Sequence, residues 1–285
     1  MTENINNDKV AIISELPKSI SWLKDGVTLY QNCWFPTDDL PSVVSFQKQF
    51  KAKDEDIILA SFPKTGTTWL KSLLFSILNR NKHHIMDNDQ HPLLTTNPHH
   101  LVSSLEHNIY AHHKPYDLAT MSSPRLISTH IPYASLNNSI KYDSKSRIVY
   151  ITRNPLDAIV STWHFSTNGH PGGHSQHEWG MEECVDMFCR GEACFGPFWD
   201  HALGYWKVKA NGVVEKILEL CSFDKLKNLD VNKHGQLWPK CDNKSFFRKG
   251  QVGDWANHLS PSMVERVNKI MKEKFNGSGL SFRMS

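Results

Sequence analysis

The chain has no Cys-x-x-Cys pair, no long apolar run and no marked excess of charge, and each gap removes a class of explanation. Its six cysteines (Cys33, Cys184, Cys189, Cys194, Cys221 and Cys241) lack the paired spacing of a zinc or redox motif, so reduced thiols are expected. No apolar stretch reaches the roughly eighteen residues of a membrane span. The opening MTENINNDKV lacks the basic-then-apolar order of a secretory leader, and the expectation is a soluble cytoplasmic protein with no membrane partner. Lys and Arg total 32 against 29 Asp and Glu, a net charge of +3, too mild to argue for a nucleic-acid partner. Any anion site must therefore be local. Repeats and low-complexity tracts are also missing. Histidine is abundant at 16, but Pro171, Gly172 and Gly173 interrupt the His170, His174, His177 spacing, which reads as a polar loop.

What is present suits one α/β domain over residues 1–285, with about fifteen disordered residues at the start. DEDIILASF (54–62) reads as a buried strand closed by Pro63. TTWLKSLLFSILNR then places Trp69, Leu70, Leu73, Leu74, Ile77 and Leu78 at helical spacing. PRLISTH (124–130) is a second strand ending at His130, and SRIVYITR (146–153) a third, rich in β-branched and aromatic residues. NPLDAIVSTWHF starts a helix with Pro155 in its first turn. Residues 1–55 are weakly patterned, 79–123 irregular with some helix, and 166–180 have the Gly and His content of a mobile loop. MEECVDMFCRG, PFWDHALGYWKVK, VVEKILELCSF and SPSMVERVNKIMKEKF read as helices, the last capped by Ser260. Past residue 165 no segment reads as a strand.

Between the first strand and helix, SFPKTGTTWLKS resembles a phosphate-gripping loop whose lysine has moved. In G-x-x-x-x-G-K-[ST] the lysine follows the second glycine; here Lys64 precedes the single Gly66, and Thr67, Thr68 and Trp69 follow. Such a junction offers unpaired N–H groups and the positive end of a helix dipole to an oxyanion. A tight turn with a surface lysine is the competing reading of this stretch by itself. Two further basic clusters exist: Arg153 with Ser161, about two helical turns apart, and FFRKGQVGDW (246–255), holding Arg248, Lys249 and Gly250.

In combination, FPKTGTTW, STH, YITRNPLDAIVSTWHF and FRKGQVGDW closely resemble the cytosolic sulfotransferases, above all the plant members, from about Trp34 to Phe275. The resemblance implies a parallel sheet flanked by helices in the P-loop nucleotide-kinase-like sulfotransferase fold. It implies transfer of a sulfuryl group from 3′-phosphoadenosine 5′-phosphosulfate (PAPS), leaving adenosine 3′,5′-bisphosphate, to a hydroxyl of a small organic acceptor. Flavonoids, steroids, hydroxylated hormones and thioglucoside precursors are the acceptor classes, within plant secondary metabolism. By resemblance, Lys64, Thr65, Gly66, Thr67, Thr68 and Trp69 hold the 5′-phosphosulfate. Arg153 and Ser161 take the 3′-phosphate with Arg248, Lys249 and Gly250, while Cys221, Ser222 and Phe223 line the adenine pocket. His130 is the expected base, Lys64 its catalytic partner, and no metal is expected because no strand ends in the acidic residue that holds Mg²⁺ in P-loop enzymes. Trp34, Phe35, His164 and Phe165 are candidates for the acceptor wall. The oligomeric state is open between monomer and homodimer.

The chain departs from the pattern after Trp206, where GYWKVKANGVVEKILELCSF joins two sides directly and a family segment is missing near 207–212. A degenerate, truncated relative with weak donor binding is therefore the alternative to an active enzyme. An ATP-dependent small-molecule kinase follows from fold analogy alone, and the shifted lysine argues against it.

Overall fold

The computed structural model describes residues 15–21, 26–83, 91–111, 118–167, 180–208, 227–238, 241–248, 250 and 252–282. An antiparallel sheet of β1 (Lys18–Ser19), β2 (Val27–Tyr30) and β3 (Cys33–Pro36) leads into α1 (Leu40–Gln49). These elements lie in the stretch that reads as weakly patterned, because strands of two to four residues give too few alternations to stand out.

The parallel sheet follows the sequence reading closely. Its order is β5 (Leu126–Thr129), β4 (Ile57–Ser61), β6 (Arg147–Ile151), with β4 central. Successive side chains of a strand point to opposite faces. Ile58 and Ala60 accordingly join the main core, while Leu59 joins a smaller cluster with Leu70, Leu73 and Leu93. The smaller cluster seats α2 (Thr67–Asn79), whose Leu70 and Leu73 are its buried stripe. On the other face α3 (Pro155–Thr167) contributes Leu156, Ile159 and Val160 to the main core. The helix takes up residues 166 and 167 of the expected loop, and 168–179 lie outside the described residues.

Further described elements include α4 (Met181–Arg190), α5 (Phe198–Trp206), the antiparallel pair β7 (Gln236–Trp238) and β8 (Cys241–Asp242), and α6 (Pro261–Phe275), besides several helical turns of three to five residues. The β7–β8 pair corrects the expectation of no strand beyond residue 165; two and three residues are too short for a periodicity to register. Ser260 caps α6 as expected, its Oγ accepting from the Met263 N–H. The helix expected at VVEKILELCSF falls outside the described residues, as do His170, His174 and His177. Among the described residues, Cys33, Cys184, Cys189 and Cys194 are free thiols, and no helix is long and apolar enough to cross a membrane.

A buried ion pair pins the amino end of the sheet. Arg125 and Asp56 are 3 % and 1 % exposed, and the guanidinium forks onto both carboxylate oxygens, with Nε donating at 2.7 Å. The backbones of the same two residues start the ladders: Ile57 N–H donates to Arg125 O and Arg147 N–H to Asp56 O, both at 2.9 Å. Removing one partner strands a buried charge, so Arg125→Ala should lower unfolding free energy by about 3–5 kcal/mol. Urea denaturation of the two proteins measures this; a loss below about 1 kcal/mol means the pair is dispensable.

Candidate active site

Parallel pairing in register brings three strand ends to one edge. Ala60 pairs with Thr129 and Ser61 with Ile151. The anion loop, His130 and Arg153 thus leave the sheet side by side, where α/β sheets bind ligands. Gly66 is the N-cap of α2 at φ 118°, a left-handed geometry that only glycine adopts without strain, and an added Cβ would meet Ile151 Cδ1 at 2.8 Å. Having no side chain, it leaves the first-turn N–H groups of Thr67, Thr68 and Trp69 without a cap. Lys64 too has a positive φ of 64°. Thr65 turns inward, its Oγ1 donating to Phe62 O at 2.7 Å and Ile151 O at 3.3 Å, which fastens the loop to β6.

The Lys64 ammonium sits 3.8 Å from the centre of the Phe165 ring and 5.4 Å from that of Phe246. These contacts join the loop to the other two basic stretches, since Phe165 lies on α3 and Phe246 two residues before Arg248. Two buried carboxylates hold the arginines. Asp157 lies 3.3 Å from the Arg153 guanidinium and accepts from the Gly253 and Trp255 N–H groups at 3.0 and 3.3 Å. Asp254 holds Arg248 at 2.5 Å and His258 at 3.2 Å. Ser161 is half-buried on α3, and Gly250 is exposed at φ 67°. Cys221, Ser222, Phe223 and Lys249 lie outside the described residues.

The tautomer of His130 follows from its partner. Nδ1 lies 2.8 Å from the Ser61 carbonyl, which can only accept, so Nδ1 carries the proton and Nε2 keeps its lone pair. Ser61 Oγ also bonds Thr67 Oγ1 at 2.6 Å, linking the histidine's support to the anion loop. Behind it, Glu106 accepts from the His130 N–H at 2.8 Å and from Thr129 Oγ1 at 2.9 Å. His201 Nε2 donates to His130 O at 3.0 Å, while Tyr150 O–H donates to His201 Nδ1 at 3.0 Å. Burial pushes His130 down to about 4, against the pull of Glu106, and so keeps the imidazole neutral. Burial likewise holds His201 at about 3.

His107 faces His130, with ring centres 6.1 Å apart. Burial lowers its value, but Asp39 at 3.2 Å and Glu106 at 3.8 Å outweigh that and raise it to about 9. Glu106, His107 and His130 offer one ligand atom each within 4.8 Å of one another. An ion there would have to displace the bonds Glu106 accepts from Thr129 and His130 and the proton that Asp39 holds on His107.

The four candidate acceptor residues separate. Trp34 is half-buried and exchanges backbone bonds with Gly196 and Phe195, at 2.8 and 2.6 Å. The Phe195 ring then lies 5.5 Å from His130. Phe35 is fully buried between Tyr30 and Phe195, a core position, because the odd and even residues of β3 take opposite faces. His164 lies against His258, 4.8 Å between ring centres, and Phe165 under Lys64, so both stand with the basic stretches. Sequence reasoning missed Asp157, Asp254, Glu106, His107, His201 and Phe246. Each is an ordinary residue type in its own segment; Asp254 takes its role from neighbours four to six residues away, and the others from contact with a distant segment.

Fold and edge together define a class: an α/β protein with a strand–loop–helix junction whose first-turn N–H groups are uncapped, flanking arginines on buried carboxylates and a neutral histidine with its Nε2 lone pair available. The sulfotransferase domain model matches residues 54–213 and 208–279, and the chain belongs to that family. Cytosolic sulfotransferase 5 of Arabidopsis thaliana is 40 % identical over 320 residues, covering 98 % of each chain. Cytosolic sulfotransferase 12 of the same plant is 39 % identical over 315 residues, covering 98 % of this chain and 95 % of its own. A crystal structure of an Arabidopsis thaliana candidate steroid sulphotransferase superposes with a TM-score of 0.73 at 36 % identity, over 99 % of this chain and 97 % of that one. A mouse sulfotransferase crystallised with PAP shares the fold, with a TM-score of 0.66 at 22 % identity over 89 % and 96 %.

Proposed function

We propose that this chain is a PAPS-dependent sulfotransferase that moves a sulfuryl group to the hydroxyl of a small organic acceptor, with His130 as general base. The observation that carries the reading is the Nδ1–H bond from His130 to Ser61 O, which leaves Nε2 to take a proton one strand away from the oxyanion loop. The donor supplies the sulfur to be attacked and a 5′-phosphate that leaves. The acceptor oxygen gives its proton to His130 Nε2 as its bond to sulfur forms. Charge growing on the departing phosphate oxygen is met by Lys64 and by the N–H groups of Thr67 and Thr68. Arg153, Ser161 and Arg248 hold the 3′-phosphate, with Gly250 offering its backbone. Trp69 supports the nucleotide base. The acceptor lies against Trp34, Phe195 and the exposed edge of His107. Relatives named as cytosolic enzymes support the cytoplasm as its place of work.

A second reading is favoured by the family match, which falls in two pieces meeting at 208–213, and by an alignment of 320 residues against a chain of 285. The two-piece match supports a segment missing near 207–212 and the alignment length supports gaps in this chain; a chain so shortened would bind donor weakly and turn over little. Titration with adenosine 3′,5′-bisphosphate beside a turnover screen with sulfate-labelled donor and a panel of plant phenols and alcohols separates the two. Ordinary turnover removes the degenerate reading.

For the active reading, His130→Ala should lower turnover by about 10²- to 10⁴-fold while bisphosphate affinity stays within about threefold. An unchanged rate would take the histidine out of the mechanism. The pH profile is a separate test. His130 is active when neutral and burial places its value at about 4, so at saturating substrates the rate should stay level as pH falls through 6.5 and drop only towards 4. A half-maximal rate near 6.5, the ordinary histidine value, would refute a base held neutral by its surroundings. Arg153→Ala should weaken the bisphosphate by about 10- to 100-fold and leave a nucleotide without the 3′-phosphate unaffected. Equal losses for both ligands would show the contact to be misassigned.

A further inference from the structure

Beneath the anion loop lies a polar chain that the transfer steps do not use. Thr68 Oγ1 is 2.9 Å from His99 Nε2, and His99 Nδ1 is 3.2 Å from Lys71 Nζ. Lys71 Nζ also donates to Val102 O at 2.9 Å. Lys71 is 2 % exposed, one helical turn into α2 from the loop, an unusual place for an ammonium group. His99 is half-buried, its ring 4.5 Å from that of Phe246, which in turn lies under Lys64.

Valence gives the chain a direction. Below about 7, where Lys71 carries its charge, the ammonium group has donors only, so the lysine donates and His99 Nδ1 accepts. A neutral imidazole has one N–H, which must then sit on Nε2 and donate to Thr68 Oγ1. The hydrogen of the threonine hydroxyl cannot point back at His99 and is left for another acceptor.

We propose that Lys71 and His99 are positioning residues that set the Thr68 hydroxyl as a hydrogen-bond donor to the 5′-phosphosulfate. The proposal rests on the donor reading of the loop. Burial lowers Lys71 to about 7, opposed by Glu106 from the Leu105–Ile109 turn. Burial first, and then the charges of Lys71, His130, Lys64 and His107, keep His99 neutral. A polyanion above the chain favours the ammonium form, so binding takes up a proton. Affinity is then full below about 7 and declines as pH rises through the raised value of the bound state.

Nitrogen-15 NMR of labelled histidine in the free wild-type protein, held below about 7 so that Lys71 is charged, reads the tautomer directly. A proton on His99 Nε2 is expected; a proton on Nδ1 overturns the relay whether or not any nucleotide binds. Calorimetric titration with adenosine 3′,5′-bisphosphate gives the second readout. His99→Leu should weaken binding about 10-fold or more. His99→Gln, whose amide can accept from Lys71 and donate to Thr68, should recover affinity to within about threefold of wild type. Adenosine 3′-phosphate, lacking the 5′ group, should bind wild type and His99→Leu alike. Lys71→Met should flatten the decline in affinity between about pH 7 and 9. Equal affinity of wild type and His99→Leu for the bisphosphate, or the same loss with the 3′-phosphate alone, overturns the proposal. Wild type with the expected tautomer but no affinity for either nucleotide counts instead against the donor reading and takes the relay's ligand with it.

Discussion

The register of three parallel strands is the constraint on which the site depends. Ser61 sits opposite Ile151 and Ala60 opposite Thr129, so a slip of one residue in either ladder would turn every core side chain to the wrong face. The same register aligns where the strands stop. From those ends the chain continues into the Pro63–Gly66 loop, into His130 and into the Asn154–Pro155 turn that starts α3. Asp56 and Arg125 lock the opposite end through their side chains and their backbones together, so the forces that set the fold also set the site.

A second theme is charge held in place before any ligand arrives. Asp157 and Asp254, 2 % and 5 % exposed, each hold an arginine, and Asp157 also fixes the loop after Arg248 through two N–H groups. Fixed dipoles and charges need little reorganisation when an anion binds, and that is the form in which electrostatics helps most in a partly dry site. Neutrality is arranged just as firmly for the histidines. A carbonyl acceptor decides which nitrogen of His130 and of His201 carries the proton, and burial keeps both rings uncharged. His107, beside them, is held in the opposite state by two carboxylates, though solvent at its exposed edge screens part of that hold.

Kinship with the plant enzymes covers nearly the whole chain, and the two pieces of the family match overlap at 208–213, just beyond α5. The described site is built mainly from elements on either side of that overlap. Strand β6, at one edge of the three-stranded sheet, is only half-buried along most of its length.

By itself the sequence determined the local grammar. Apolar alternation marked β4, β5 and β6, helical spacing marked α2 and α3, and Gly66, Pro155 and Ser260 marked turns and caps, because these signals lie within a few neighbouring residues. It also pointed to Lys64, His130, Arg153 and Arg248, whose chemistry is conspicuous at a strand or loop end. Tertiary structure alone decided which groups stand behind them. Glu106 under His130, Asp157 between Arg153 and the Gly253–Trp255 loop, and His99 between Thr68 and Lys71 all join segments some 25 to 100 residues apart. It likewise sent Phe35 into the core and His164 and Phe165 to the basic side. Hydrogen bonds and ion pairs act over about 3 Å, so nothing in a one-dimensional pattern reports a partner that only the folded sheet brings within that distance.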